Sequence, residues 1–194
     1  MNTIAISGSP RENVGKRDAK ELRYAGKVPA VLYGGKEQIH FAVDAPALRD
    51  LVYTPEVNFV ELEIDGKKAK AIMQDIQFHP LTEKILHIDF LQLFDDKAVT
   101  IEIPVKLTGT SPGVKEGGKL VQKLRKLKVK ALPKDMPQYV EVSLEPLTVG
   151  KSVRVRDLKP EGYIITNVKE DTVVSVIMSR ALKQAEQQAA SGKK

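Results

Sequence analysis

Short runs rich in apolar residues, several of them alternating with polar residues, recur through the first half of the chain, and they predict β-strands. These runs cover residues 3–7, 28–33, 39–43, 58–64, 67–77 and 85–93. Asp65 and Gly66 separate two of the runs and form a strong hairpin signal. Two short helices are also predicted, one over residues 18–24, ended by Gly26, and one over residues 45–51, where apolar residues have helical spacing.

The strand pattern starts again after Asp95, Asp96 and Lys97. Further strands are predicted over residues 99–107, 120–131, 140–144, 151–155 and 172–178, with a glycine-rich loop over 109–120. Their spacing favours an antiparallel β-rich domain over alternating strands and helices. The pattern therefore predicts two domains, residues 1–94 and 95–180. Residues 181–194, which are rich in Ala, Gln and Lys, are predicted to form a flexible tail.

Composition narrows the function classes without choosing one. The chain of 194 residues has no cysteine, which excludes disulfides, thiolate zinc sites and iron–sulfur clusters. It has no apolar run of the ~20 residues that span a bilayer, and its first residues lack the pattern of a signal peptide, so a cytoplasmic protein is expected. The net charge of +6 weakly favours a polyanionic partner such as nucleic acid.

The segment after the first strand resembles a nucleotide-binding loop but does not fit one. The first strand runs into SGSPRENVGK, which is similar to the phosphate loop of flavodoxin-like flavin reductases. A Walker loop is excluded because six residues separate Gly8 from Gly15, and Arg17 stands where a magnesium-binding hydroxyl is needed. A flavin site needs βαβ units downstream, which are not predicted. The favoured interpretation is that residues 8–10 form a turn leaving an edge strand.

Two basic segments are candidates for contact with a polyanion. Lys16, Lys20 and Arg23 have the i, i+4, i+7 spacing of one helix face. A charged surface helix is the plain alternative, but a one-sided basic stripe suits an element that follows a phosphate backbone. The run over residues 119–130 alternates apolar residues with Lys and Arg, which predicts a half-buried strand with a basic outer face. That face either touches a second RNA segment or protects a sheet edge.

The three histidines give no catalytic or metal-binding constellation. His40, His79 and His87 lie in separate contexts, without a nucleophile or a cluster of metal ligands. His87 and Asp89 are two residues apart in a predicted strand, so their side chains point to the same side. The pair is interpreted as a surface contact or as a group that hydrogen-bonds to RNA base edges and 2′-hydroxyls. No enzyme activity, cofactor or metal site is expected.

Four motifs, in order, resemble one known family. They are GKRDAKELRYAGKVPAVLYGGKE, QDIQFHP, LHIDF and, in the second half, GTSPGVKEGGKL. The chain resembles the bacterial ribosomal proteins called L-twenty-five, or general stress protein CTC, in their two-domain form. The resemblance implies a non-enzymatic constituent of the large ribosomal subunit that binds 5S ribosomal RNA at its loop E. It also implies a closed N-terminal β-barrel with short helices, a separate β-rich C-terminal domain, and a monomer when off the ribosome.

The resemblance also assigns RNA-contacting residues. They are Arg11, Lys16, Lys20, Arg23, Tyr33, Gln74, His87 and Asp89. The basic residues are expected to hold phosphates, and the others to form a polar patch that meets base edges and sugars. Glu21 and Tyr24 stand where relatives often have basic residues, which predicts a smaller phosphate contribution from that helix. An RNA chaperone that acts away from the ribosome is a further hypothesis.

Overall fold

The structure, a computed structural model, describes residues 2–35, 37–160 and 162–179. The chain divides into two compact units. The first comprises the residues up to Val99 together with Leu132–Met136, and the second comprises Thr100–Ala131 with the described residues from Pro137 on. The predicted domain limits stay predictions, and the predicted tail over residues 181–194 lies outside the described residues. Within those residues, no helix is both long and apolar enough to cross a membrane.

The first unit is a closed six-stranded barrel with short helices, as predicted. Its elements are β1 (Thr3–Pro10), α1 (Lys16–Tyr24), β2 (Lys27–Tyr33), β3 (Ile39–Asp44), a 3₁₀ turn (Ala45–Leu48), α2 (Arg49–Val52), β4 (Phe59–Ile64), β5 (Lys67–Phe78) and β6 (Ile85–Gln92). The strands close in the order β1-β3-β2-β6-β5-β4. The hairpin predicted at Asp65 and Gly66 is confirmed, since both have positive φ, 50° and 72°, as a type I′ turn requires.

The barrel core is built from the inward-facing residues of these strands. Phe41 and Phe90 are fully buried, with their ring centroids 5.9 Å apart. Ile88 and Phe90 point inward from β6, while His87 and Asp89, which alternate with them along the strand, stay partly exposed. This alternation is the period-two pattern of a strand that is buried on one side. It fixes which β6 side chains are available to a partner.

The first strand differs from the prediction, because β1 continues through Gly8 and Pro10 instead of turning there. Residues from Thr3 to Gly8 pair in parallel with β4, and Ser9 and Pro10 pair antiparallel with β3. The strand therefore joins two others and closes the barrel, so it is not an edge strand. Gly8 lies where the partners change, and a Cβ there would be 2.5 Å from Cδ2 of Phe41. It is a packing glycine, not part of a phosphate loop.

The second unit contains two sheets. Its elements are β7 (Val99–Thr108), α3 (Pro112–Lys115), β8 (Lys119–Gln122), β9 (Lys126–Ala131), β10 (Val140–Ser143), β11 (Ser152–Arg154), a 3₁₀ turn (Val155–Asp157), β12 (Ile164–Ile165) and β13 (Thr172–Ile177). One sheet has the order β10-β7-β9-β12 and the other β11-β13-β8. The β-rich character of this half is confirmed.

Three details of this half were predicted wrongly. The domain is not purely antiparallel, because β10 pairs in parallel with β7, and an alternating pattern carries no information on strand direction. The run over residues 120–131 is two strands in different sheets. The backbone N–H groups of Lys123 and Leu124 both donate to the carbonyl of Val173, and the chain then leaves the β13 sheet to form β9. The predicted loop also contains the short helix α3.

Candidate nucleic-acid interface

The centre of the candidate interface is a pair of side chains on the outer face of β6. His87 Nδ1 lies 2.7 Å from Asp89 Oδ1, and each side chain is 32% exposed. The contact that residue spacing predicted is confirmed. A carboxylate beside Nδ1 keeps a proton on that nitrogen, so Nε2 is the atom left for a partner. The imidazole orientation is therefore set before any partner binds.

Tyr33, at the end of β2, belongs to the same face. Burial raises the pKa of its hydroxyl above the ordinary value, and the negative charges of Asp89 and Asp75 raise that pKa further. The hydroxyl therefore stays protonated near neutral pH and is able to donate. Gly34 and Gly35 follow, and a Cβ on either would collide with Leu91 or Gln92 of the neighbouring strand. They allow close packing of β2 on β6.

Two residues on the neighbouring strand complete this face and were missed from the sequence. Asp75 of β5 lies opposite Asp89, and Gln77 lies opposite His87. The register shifts between Met73 and Asp75, which puts Gln74 in a bulge. The resemblance assigned Gln74 and not Asp75, and the alternation of residues along β5 could not locate the bulge. Gln74 is exposed in the structure.

Helix α1 packs on the outside of β2 and supplies basic residues beside this face. Arg23 is half-buried, and its Nη1 donates to the carbonyl of Leu86 at 3.1 Å, next to His87. Lys16 and Lys20 are exposed. The structure thus brings the basic helix alongside the polar patch, with Lys16 and Lys20 accessible and Arg23 linking the helix to β6.

Arg11 has a different environment from the other basic residues. Its guanidinium donates to Asp18 Oδ2 from Nη2 at 2.5 Å and from Nε at 3.2 Å, and also to the carbonyl of Asn13. The side chain is only 9% exposed. Its donors therefore hold the loop after β1 against α1, and the phosphate contact assigned to Arg11 stays a prediction.

Lysines of the second unit form a separate basic face. Lys126, Lys128 and Lys130 of β9 are exposed, alternating with buried residues. For these three lysines the hypothesis of edge protection is wrong, because β9 lies between β7 and β12. For the start of the same run it stays a prediction, because Lys119 is exposed on β8, which is an edge strand of the other sheet. Contact with a second RNA segment stays a prediction.

The excess positive charge does not lie in the barrel half. Residues 1–94 contain 12 Lys and Arg against 13 Asp and Glu, whereas residues 95–180 contain 16 against 11. Attraction of the barrel to a polyanion must therefore come from the placement of a few cations, not from its net charge. Among the residues described, no group of three or more His, Asp and Glu could hold a metal ion.

Comparisons with known proteins identify the family. The sequence model of the Ribosomal L25p family matches residues 6–90, and that of the Ribosomal protein TL5, C-terminal domain, matches residues 98–180. Three relatives named "Large ribosomal subunit protein bL25" align over nearly the whole chain. The protein of Amoebophilus asiaticus is 50% identical, covering 94% of this chain and 93% of its own length. That of Cytophaga hutchinsonii is 47% identical, covering 98% and 99%, and that of Bacteroides fragilis is 46% identical over all of both chains.

The two matched segments coincide with the two β-rich halves, and the relatives extend across both. The chain belongs to the ribosomal L25p family, in the form that carries a TL5-type C-terminal domain, and is a ribosomal protein and not an enzyme.

Proposed function

We propose that this protein is a structural constituent of the large ribosomal subunit and binds 5S ribosomal RNA, at the loop E region, through the outer face of its barrel. It acts in the cytoplasm as part of the ribosome and is a monomer when free. The observation that carries the proposal is the oriented His87–Asp89 pair, which lies beside Tyr33 and next to the basic helix α1.

The chemistry of the patch suits an irregular RNA duplex. Tyr33 and His87 offer a hydroxyl and a ring nitrogen, while the carboxylates of Asp89 and Asp75 offer only acceptors. Two carboxylates would repel a bare phosphate backbone, so they are expected to accept from base amino groups or 2′-hydroxyls. Regular A-form RNA hides its base edges in a deep, narrow groove. A distorted duplex exposes those edges.

The basic residues would supply a different part of the binding. Lys16 and Lys20 are exposed on one side of α1 and would hold phosphates, which position the barrel without reading sequence. Arg23, whose guanidinium donates to the Leu86 carbonyl, would contribute positive charge between α1 and the polar patch. Gln74, exposed in its bulge, would add an amide at the margin. Affinity and selectivity then come from separate residues of one surface.

A binding comparison with two RNAs tests the proposal. The full chain is titrated with 5S ribosomal RNA and with a variant whose loop E is replaced by a fully paired regular helix. We expect much tighter binding to the natural RNA, with affinity for both falling as salt rises. Equal affinity for the two RNAs would contradict recognition of the irregular duplex.

The alternative of an RNA chaperone that acts away from the ribosome predicts a different distribution in cells. A subunit constituent sediments with large subunits in a fixed one-to-one ratio through a sucrose gradient. A chaperone would remain mostly at the top of the gradient. The flavin reductase hypothesis is excluded, since the chain belongs to a ribosomal protein family and its first strands form a closed barrel.

A further inference from the structure

A second concave site lies on the barrel, beside the proposed RNA face. It is a cleft of about 760 Å³ between the C-terminal half of α1, the segment after β3, and the turn between β5 and β6. This volume is within the range of roughly 300–1,000 Å³ that is typical of ligand sites. Only Lys20 and Arg23 are shared with the residues assigned to 5S ribosomal RNA. The remaining lining residues have no role so far.

The cleft is lined by positive charge. Five of its described lining residues are basic: Lys20, Arg23, Lys27, Arg49 and Lys84. None of the described lining residues is Asp or Glu, although Asp44, Asp50 and Glu83 are sequence neighbours of lining residues. This differs from residues 1–94 as a whole, where acidic residues slightly outnumber basic ones. A cation-rich concave site in a domain without excess positive charge favours an anionic ligand.

Two tyrosines also line this cleft, and both are unusually exposed. Tyr24 is 80% exposed at the end of α1, and Tyr53 is 63% exposed at the end of α2. Lys20 Nζ lies 5.7 Å from the centroid of the Tyr24 ring. Exposed rings next to cations are the arrangement that binds unpaired nucleotides, because bases stack on the rings while Lys and Arg hold the phosphates. A cleft for phosphate alone would not need the rings.

The turn between β5 and β6 forms one side of the cleft, and internal hydrogen bonds hold its conformation. His79 Nδ1 accepts from the backbone N–H groups of Leu81 and Thr82, both at 3.3 Å. An accepting Nδ1 places the proton of a neutral ring on Nε2, which makes that nitrogen a hydrogen-bond donor. The hydrogen bond from Arg23 to the Leu86 carbonyl joins this side of the cleft to α1. The cleft therefore exists before a ligand binds.

From these observations we propose that the cleft binds an unpaired RNA nucleotide, with its base on Tyr53 and its phosphates on Arg49, Lys84 and Lys27. The inference shares its RNA partner with the proposed function but rests on different residues. Leu86 lines the cleft and immediately precedes His87 of the RNA face. A strand leaving the duplex bound there would therefore meet the cleft.

The test uses the full chain and a fluorescently labelled single-stranded uridine hexanucleotide, followed by anisotropy at low salt. Tyr53→Ala is expected to weaken binding about tenfold, the size of a lost base–aromatic stack, and Tyr53→Phe to retain it. Arg49→Ala is expected to weaken binding and to reduce the salt slope by about 0.7, as for one lost phosphate contact. Thermal unfolding should not change, since Tyr53 is mostly exposed.

Tyr139→Ala is the matched control. Tyr139 is also an exposed tyrosine with a lysine over its ring, Lys106 at 4.4 Å, but it belongs to the second unit. Binding that responds equally to Tyr53→Ala and Tyr139→Ala, or no binding by the unmodified chain, would overturn the proposal. So would a deca-glutamate peptide that binds with the same dependence on Tyr53, since the occupant would then be an acidic protein segment. His87→Ala should leave hexanucleotide binding intact, which separates this site from the 5S ribosomal RNA face.

Discussion

Arg11 Nη2 lies 2.5 Å from Asp18 Oδ2, and this ion pair joins the loop after β1 to the first turns of α1. The backbone N–H of Arg11 also donates to the carbonyl of His40 in β3, at 3.0 Å. Arg11 is thus anchored at both its backbone and its side chain. Arg11 thus connects β3, the loop after β1 and α1, while the phosphate contact assigned to it stays a prediction.

Loss of this pair is expected to destabilise the barrel. Asp18→Ala leaves a nearly buried guanidinium without its carboxylate, and Arg11→Ala removes the guanidinium. A hydrogen bond to a charged group contributes about 1.5–3 kcal/mol, and we expect each variant to lower the free energy of unfolding by about that much. Urea denaturation of both single variants and the double variant would measure the coupling between the residues. Additive losses would show that the pair does not act as a unit.

Gly8→Ala is expected to destabilise the fold without any loss of a ligand site. The new Cβ would lie 2.5 Å from the Phe41 ring, which is fully buried in the core. Overpacking of this kind costs about 1–3 kcal/mol. Gly15→Ala is the matched control, since a Cβ there meets nothing within 4 Å. Equal unfolding free energies for the two variants would contradict the packing role of Gly8.

The strands of the barrel could be predicted because alternation and turn residues agree along the first half. Asp65 and Gly66 lie between two alternating runs and predict the β4–β5 hairpin. His87 and Asp89 share a face because side chains alternate along β6. The closure of the barrel came only through the family resemblance. Gly8 is where β1 changes partners, and that pairing depends on residues far away in sequence.

Several features of the site depend on the folded structure and could not be predicted from the sequence. The bulge at Gln74 moves Asp75 opposite Asp89, and nothing in the alternation of β5 marks the extra residue. The ion pair of Arg11 with Asp18 could not be predicted from the sequence, because Asp18 lies across a loop and resembles any other helix carboxylate. The cationic cleft was also invisible from sequence, because Arg49, Tyr53 and Lys84 come together only in the folded barrel.

The raised pKa of Tyr33 predicts the effect of a change at Asp89. Burial is the main cause of the rise and Asp89 the second, so Asp89→Asn should lower the Tyr33 pKa part of the way to its ordinary value. Because the pKa of Tyr33 is raised in the folded state, the shift contributes to the free energy of unfolding below the ordinary tyrosine pKa. This stabilisation is lost as the pH rises through the pKa that Tyr33 has in the folded protein. Titration of tyrosinate absorbance, with Tyr33→Phe subtracted, measures the shift. An unchanged Tyr33 pKa in Asp89→Asn would show that the charge of Asp89 does not affect the Tyr33 hydroxyl.

The exposed position of Lys16 predicts a uniform effect on RNA affinity. Lys16→Ala should weaken binding to 5S ribosomal RNA and to unrelated duplex RNA alike. It should also reduce the slope of log affinity against log salt by about 0.9, as for one phosphate contact. Lys67→Ala is the control, because Lys67 is an exposed lysine eight residues before Asp75 on β5, ~26 Å away along the strand. The same loss in both variants would indicate attraction by overall charge alone.

The central claim is that the patch around His87 and Asp89 distinguishes one irregular RNA from others, and the most direct measurement is the affinity of His87→Ala for two RNAs. Filter binding at fixed salt compares 5S ribosomal RNA with an unrelated duplex of equal length, for the unmodified chain and the variant. We expect His87→Ala to lose about 1–3 kcal/mol of binding free energy on 5S ribosomal RNA and almost none on the unrelated duplex. Equal losses on both RNAs, or no loss on either, would contradict the central claim.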